Sequence, residues 1–233
     1  MTRQLSDYSW TEIPERPVIL IPLGSCEQHG PHLPLDTDTC IATHVALAAA
    51  SHLRAANVPA LVAPGLPYGA SGEHADFPGT LSLGTAVLAA VLTELCRSAD
   101  WCTRVIFVNG HGGNVDGLVH AVSVLRAEGR DVAWFSCQNR GGDAHAGRTE
   151  TSAMLALAPH RVSAEPWQIG ETLPLEDLIC RLRAEGVRDV SRSGILGDPT
   201  GANSDEGRRT LEGMAHDLVT AIERGELSPH RQV

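Results

Sequence analysis

The feature that most constrains this chain is an alternation between two hydrophobic periods. Residues 17–22, Pro-Val-Ile-Leu-Ile-Pro, form a short continuous apolar run, and residues 105–108, Val-Ile-Phe-Val, form another. An unbroken run of this length is the pattern of a strand buried on both faces. Residues 60–63 and 132–135 read as further strands, the first stopped by Pro64 and Gly65. Between the runs the period lengthens. Residues 38–53 are alanine-rich, apolar residues fall at 88, 91, 92 and 95, and Val115, Leu118, Val119, Val122 and Leu125 form a third stripe. These are helical spacings, and Asn114 stands where the third helix needs its N-cap. Later helices are predicted near 149–157, 174–185 and 205–224. Strand, helix, strand, helix in this rhythm predicts the α/β class, a mostly parallel sheet flanked by helices on both faces. With 233 residues, 42% of them hydrophobic, the chain can fill one core. We expect a single domain over 1–233 with a helical C-terminal part.

Composition removes several function classes. The net charge is −10, which argues against nucleic acid as the main partner. All 18 basic residues are arginine, so neither a Schiff-base lysine nor a phosphate-loop lysine exists. No apolar run reaches the length of a membrane span. The polar N-terminus, Met1 to Asp7, is unlike a signal peptide, so a cytoplasmic setting is expected. None of the six cysteines forms a C-x-x-C pair, and most should be small buried thiols.

The polar clusters fall just after predicted strands. The first strand is followed by Gly24-Ser25-Cys26-Glu27-Gln28-His29-Gly30 and then by Asp36-Thr37-Asp38. The run at 105–108 is followed by Asn109-Gly110-His111-Gly112-Gly113-Asn114, and that at 132–135 by a segment carrying His145 and Glu150. Ligands in open α/β sheets bind beyond the carboxyl ends of strands. Imidazole and carboxylate delivered to one rim are ligands for Zn²⁺, Fe²⁺ or Mn²⁺. Glu27 and His29 are two apart, so in extended chain they point the same way.

The order and content of these clusters resemble the creatininase (creatinine amidohydrolase) family. The matching pieces are the 24–30 and 109–114 clusters, His32-Leu33-Pro34, Thr37-Asp38, Gly72-Glu73-His74, Phe77-Pro78-Gly79-Thr80, His145-Ala146-Gly147, Glu150-Thr151-Ser152 and Gly197-Asp198-Pro199. The resemblance spans about residues 10–225. It implies a three-layer sandwich and a metal-dependent amidohydrolase or peptidase that cleaves C–N bonds with two divalent ions, Zn²⁺ and/or Fe²⁺, with Mn²⁺ as a further option. By position, Glu27 and His111 would bind the first metal, His29 the second, and Asp38 would bridge them. Creatinine hydrolases carry Glu two residues after the histidine of the Asn-Gly-His motif; this chain has Gly113, and Glu150 is expected to fill that place. Asp36 is expected to support the site rather than bind metal. His145 would carry protons to the leaving amine, and Ser71 would orient the scissile amide.

Departures from the family bear on substrate. Gly112 and Gly141 stand where creatinine hydrolases carry aromatic walls, which favours a chain over a small ring. Gly24 to Thr39, residues 68–74 and residues 141–147 are similar to the branch of the family that serves mycofactocin biosynthesis. That likeness implies a peptidase acting on a radical-modified precursor peptide and releasing a C-terminal valine/tyrosine-derived dipeptide. The family also implies a homo-oligomer. Arg140 and Arg148 are expected to hold a terminal carboxylate by bidentate hydrogen bonds. The alternative enzyme reading is hydrolysis of creatinine or a formylaminopyrimidine. A nucleotide-binding role for residues 109–114 is weakened by the absence of Lys, Arg and a G-x-G-x-x-G pattern there.

Overall fold

A parallel sheet of four strands organises the chain. The structure, a computed structural model, describes residues 4–137, 141–164 and 166–227. The strands are β1 (Val18–Leu23), β2 (Ala60–Val62), β3 (Arg104–Asn109) and β4 (Val132–Ser136), in the order β2-β1-β3-β4. β1 pairs in register with β2 from Val18↔Ala60, and with β3 from Val18↔Arg104 to Leu23↔Asn109. The main helices are α1 (Thr37–Ala55), α2 (Thr85–Arg97), α3 (Val115–Ala127), α4 (Arg148–Leu157), α5 (Leu175–Glu185), α6 (Val187–Val190) and α7 (Ser204–Arg224).

Alternate strand residues enter two separate cores. Leu20, Val62, Ile106, Val108, Ala133 and Phe135 face α1, α4 and α7. Ile19, Ile21, Leu23, Leu61, Val105, Phe107, Val132 and Trp134 face α2 and α3. Both strand faces are therefore buried, as continuous apolar runs require. On α1 the buried positions Ile41, Ala42, Val45, Ala46, Ala49, Ala50 and Leu53 form one stripe, and its many alanines let the helix lie close to the sheet. Leu211, Met214 and Leu218 of α7 join the same core, so the C-terminal helix completes a layer.

The chain starts in mid-sheet, steps to β2, then returns past β1 to β3. Helices on such opposite-going crossovers fall on opposite faces. The loops after β1 and β3 therefore diverge and leave a crevice at the carboxyl edge, which is where these sheets bind ligands.

Two expectations are corrected. Asn114 occupies the N-cap position of α3 but makes no side-chain cap bond. Its Nδ2 donates to Gly24 O and Asn109 Oδ1, both at 3.0 Å, and its Oδ1 accepts from Ala70 N at 2.8 Å. It ties three loops together instead. Of the cysteines, only Cys96, Cys102 and Cys137 are buried; Cys26 and Cys40 are intermediate and Cys180 is exposed.

Candidate metal centre

Three strand-end segments meet in the crevice. Glu27 and His29 come from the loop after β1, Asp38 from the first turn of α1, His111 from the loop after β3, and Glu150 from the first turn of α4. Glu27, His29, Asp38 and His111 are all buried, while the Glu150 side chain is 21% exposed. Glu27 and His29 draw His145 into one set of three, and the five residues among themselves form two more, Glu27–Asp38–His111 and His29–Asp38–Glu150, each with its ligand atoms within 4.8 Å. Asp38 belongs to both. Its Oδ2 lies 3.3 Å from His111 Nδ1 and its Oδ1 3.0 Å from His29 Nε2. Ser25 Oγ donates to Oδ2 at 2.7 Å and fixes the carboxylate's rotation.

Glu27 shows what this arrangement suits. Three imidazole nitrogens surround its Oε1, from His111 at 3.2 Å, His74 at 3.3 Å and His145 at 3.7 Å. Yet neither Glu27 carboxylate oxygen has a hydrogen-bond partner. A buried carboxylate without hydrogen bonds is costly unless a cation compensates it. A buried carboxylate ringed by imidazole nitrogens and left without a hydrogen bond fits a divalent-ion site, and the mixed imidazole and carboxylate donors suit zinc, iron or manganese.

The electrostatics are those of a crowded charge cluster. Burial pushes the Glu27 carboxyl up. Burial opposes the His29 cation, but Asp38, Glu150 and Glu27 outweigh it and push the His29 pKa up to about 10. Burial likewise opposes the Asp38 carboxylate, yet His29 and His111 hold it well below its ordinary value. Glu150 is pushed up to about 7 by burial, with His29 opposing. Burial lowers both His74 and His145, and their cationic neighbours add to it, so both are neutral.

The other expected residues are placed unequally. His145 is buried, with Nδ1 toward Glu27 and Nε2 2.8 Å from the Gln28 carbonyl. Gly112 and Gly141 line a cavity of about 1300 Å³ that opens onto the centre. Ser71 is buried between Ala70 and Gly72 of that wall, and its hydroxyl has no partner. Arg148 lines the cavity, but both Glu206 oxygens already engage it, at 2.7 and 2.9 Å. Arg140 lies outside the described residues. Asp36 pairs with Arg161 at 2.6 Å, away from the ligand sets.

Gly113 has a structural reason. A Cβ there would sit 2.4 Å from Glu73 Oε1, 2.5 Å from His111 Nε2 and 2.4 Å from Ala70 O. The Glu73 carboxylate fills the space a larger residue would take, 3.4 Å from His111 Nε2. Sequence reasoning did not anticipate this, because a glycine reports what it lacks and not which neighbour fills the gap.

The family model described as creatininase, creatinine amidohydrolase, matches residues 6–222. The chain belongs to the creatininase family. It is 53% identical over 214 residues to the mycofactocin precursor peptide peptidase of Mycobacterium tuberculosis (strain CDC 1551 / Oshkosh), covering 89% of this chain and 85% of that one. Identity to a creatinine amidohydrolase of Pseudomonas putida is 31% over 179 residues, 64% of this chain and 67% of that protein. A mutant creatininase solved in a zinc–zinc form superposes with a TM-score of 0.75 at 27% identity, covering 97% of this chain and 98% of that one. The four-stranded parallel sheet and its two helical layers are thus a creatininase fold, and the chain is a creatininase-family hydrolase.

Proposed function

We propose that this creatininase-family chain is a two-metal peptidase of mycofactocin biosynthesis, releasing a valine/tyrosine-derived dipeptide from the C-terminus of a radical-modified precursor peptide. The carrying observation is the pair of three-residue donor sets sharing Asp38, in a chain 53% identical to a peptidase of that name. Glu27, Asp38 and His111 would hold one ion, and His29, Asp38 and Glu150 the other. When bound, two divalent ions, zinc or iron with manganese as a further option, would supply a nucleophilic water at neutral pH and polarise the scissile carbonyl.

The chain's own residues do the rest. Gly112 and Gly141 leave the wall open, so a peptide can run along it with main-chain groups in reach. His145, neutral at physiological pH, moves a proton toward the leaving nitrogen. Ser71 lies fully buried behind the wall at Ala70 and Gly72, so its unpartnered hydroxyl backs that wall and does not touch the scissile amide, as the resemblance had implied it would. Arg148 takes the substrate's terminal carboxylate by sharing its fork with Glu206. We read residues 1–233 as one catalytic domain, acting as a homo-oligomer in the cytoplasm. No helix among the described residues is long and apolar enough to cross a membrane.

The test incubates metal-loaded protein with modified precursor, unmodified precursor, creatinine and a formylaminopyrimidine, read by mass spectrometry. Loss of a C-terminal dipeptide from the modified precursor alone is expected. Creatine formation without peptide cleavage would replace this reading with small-molecule hydrolysis.

A further inference from the structure

Gln28 sits between two of the metal-donor residues and is itself a member of no donor set. It is buried, as are His74 and His145, which it touches. Its amide is oriented unambiguously, because Gly30 N donates to Oε1 at 2.8 Å and only an oxygen can accept. Its Nε2 therefore has two hydrogens to place among three neighbours. These are His74 Nδ1 at 2.9 Å, His145 Nε2 at 3.0 Å and Gly194 O at 3.0 Å. The Gln28 carbonyl oxygen is a fourth participant, 2.8 Å from His145 Nε2.

One assignment satisfies every acceptor. The two amide hydrogens go to His74 Nδ1 and Gly194 O, and His145 Nε2–H donates to the Gln28 carbonyl. Giving an amide hydrogen to His145 Nε2 instead leaves that nitrogen's lone pair facing a carbonyl oxygen at 2.8 Å. It also strips either His74 Nδ1 or Gly194 O of its donor. Unpaired groups at such depth are the expensive outcome. Gly194 has φ +79° and a Cβ there would sit 1.8 Å from Gln28 Oε1, so the loop is shaped around this amide.

We propose that Gln28 is a positioning residue that fixes the proton placement on two histidines flanking the centre, on His74 through its side-chain amide and on His145 through its backbone carbonyl. His74 then carries its proton on Nε2, facing Glu27 Oε1 at 3.3 Å. His145 carries its proton on Nε2 and presents a bare Nδ1 toward the same oxygen, at 3.7 Å. The inference rests on the hydrolytic reading above and names the working atom within it. His145 Nδ1 takes the proton released as the attacking water forms the new C–O bond. It returns that proton to the nitrogen as the C–N bond breaks, so His145 ends as it began.

The experiment records long-range ¹H–¹⁵N correlations of histidine-labelled, zinc-loaded protein, assigned with His74→Gln and His145→Gln. Both rings are expected to be protonated at Nε2 with Nδ1 bare. A His145 ring protonated at Nδ1, or at both nitrogens, overturns the proposal without reference to any variant's folding. In Gln28→Glu, an acceptor replaces the donor facing His74, so the His74 proton should move to Nδ1. There kcat should fall at least about tenfold, with KM and bound metal unchanged. An unmoved His74 proton with unchanged kcat also overturns it. If the zinc-loaded wild type hydrolyses no substrate, the hydrolytic reading fails while the proton placements are still read from the spectra.

Discussion

The two donor sets share Asp38 but differ in how they are held. Glu27, Asp38 and His111 are at most 5% exposed and rest on the sheet. Asn109 Nδ2 donates to His111 O at 2.7 Å, Glu27 N to Leu35 O at 3.0 Å, and Asn114 joins the surrounding loops. The other set depends on Glu150, at the start of α4, beyond the loop at 141–147. Its carboxylate is held by Ala146 N at 2.6 Å, and Ala146 itself has φ +53°. That backbone is strained for a residue with a Cβ. One half of the centre is thus built into the sheet's switch point, and the other is carried by a helix start held through a backbone position strained for its residue. The comparison predicts one half that is tight and indifferent to its surroundings, and one that answers to loop 141–147.

The largest effect should come from removing what the halves share. Asp38→Ala is expected to lose both ions and to lower activity by roughly 10³-fold or more, as for a member of a unit acting together. Elemental analysis after gel filtration checks it, and retention of two ions per chain would remove Asp38 as a bridge.

Next comes Glu150→Gln, which separates the halves. It should retain about one ion, bound to the first set, and lose activity about 10²-fold. Equal loss of both ions would show that the second set supports the first. Retention of both would make Glu150 a supporting carboxylate and leave the second half with His29 and Asp38.

How far these halves were legible in the sequence differs too, and for the same reason. The β1 and β3 runs and the polar segments after them read directly, because burial on both faces forces continuous apolar strands and the fold puts their ends together. Glu27, His29, Asp38 and His111 are adjacent in space because β1 and β3 are adjacent in the sheet. Glu150 reached the same rim as part of the long segment after β4, but its place as a ligand came from family resemblance, since no period relates a helix start to the strand end before it. Asn114 read as a cap because local pattern ranks the nearest helix first, while its partners Gly24 and Ala70 are distant in sequence. Gln28 carried no signal of its own. Its role comes from His74, His145 and Gly194, which only the folded chain assembles. The short α6 and the single-turn helices lack the length to show a period.

A smaller perturbation tests the tight half. Gly113→Ala places a methyl against Glu73, which can swing away, and against Ala70 O, which cannot. It should cost about 1–3 kcal/mol of stability by overpacking. It should also weaken metal binding at the first set selectively, because Glu73 and His111 Nε2 are displaced together. Titration with a chelator and a denaturation midpoint for the same variant check both parts. A variant as stable as wild type, with unaltered affinity, would show that the Glu73 contact is incidental.

The smallest effect concerns the support beneath the adjustable half. His32 Nε2 lies 2.9 Å from Thr151 Oγ1, one residue after Glu150, so this buried pair anchors α4. Burial first, and the nearby His29 charge second, lower the His32 pKa from 6.5 to about 4. The ring is therefore neutral when folded and takes up a proton more readily when unfolded. Between pH 6.5 and 4 the unfolded chain binds the extra proton, so stability present above pH 6.5 is lost as pH falls toward 4. The full difference is on the order of 3 kcal/mol. His32→Gln keeps a hydrogen-bonding group beside Thr151 without a titrating ring, so its denaturation midpoint should fall less steeply over that pH range. If α4 is the adjustable element, acidification of the wild type should also release the second set's ion before the first, and the variant should postpone that release. Parallel pH slopes in the two proteins would remove His32 as the acid-sensitive anchor. Simultaneous release of both ions would remove the distinction between a tight and an adjustable half.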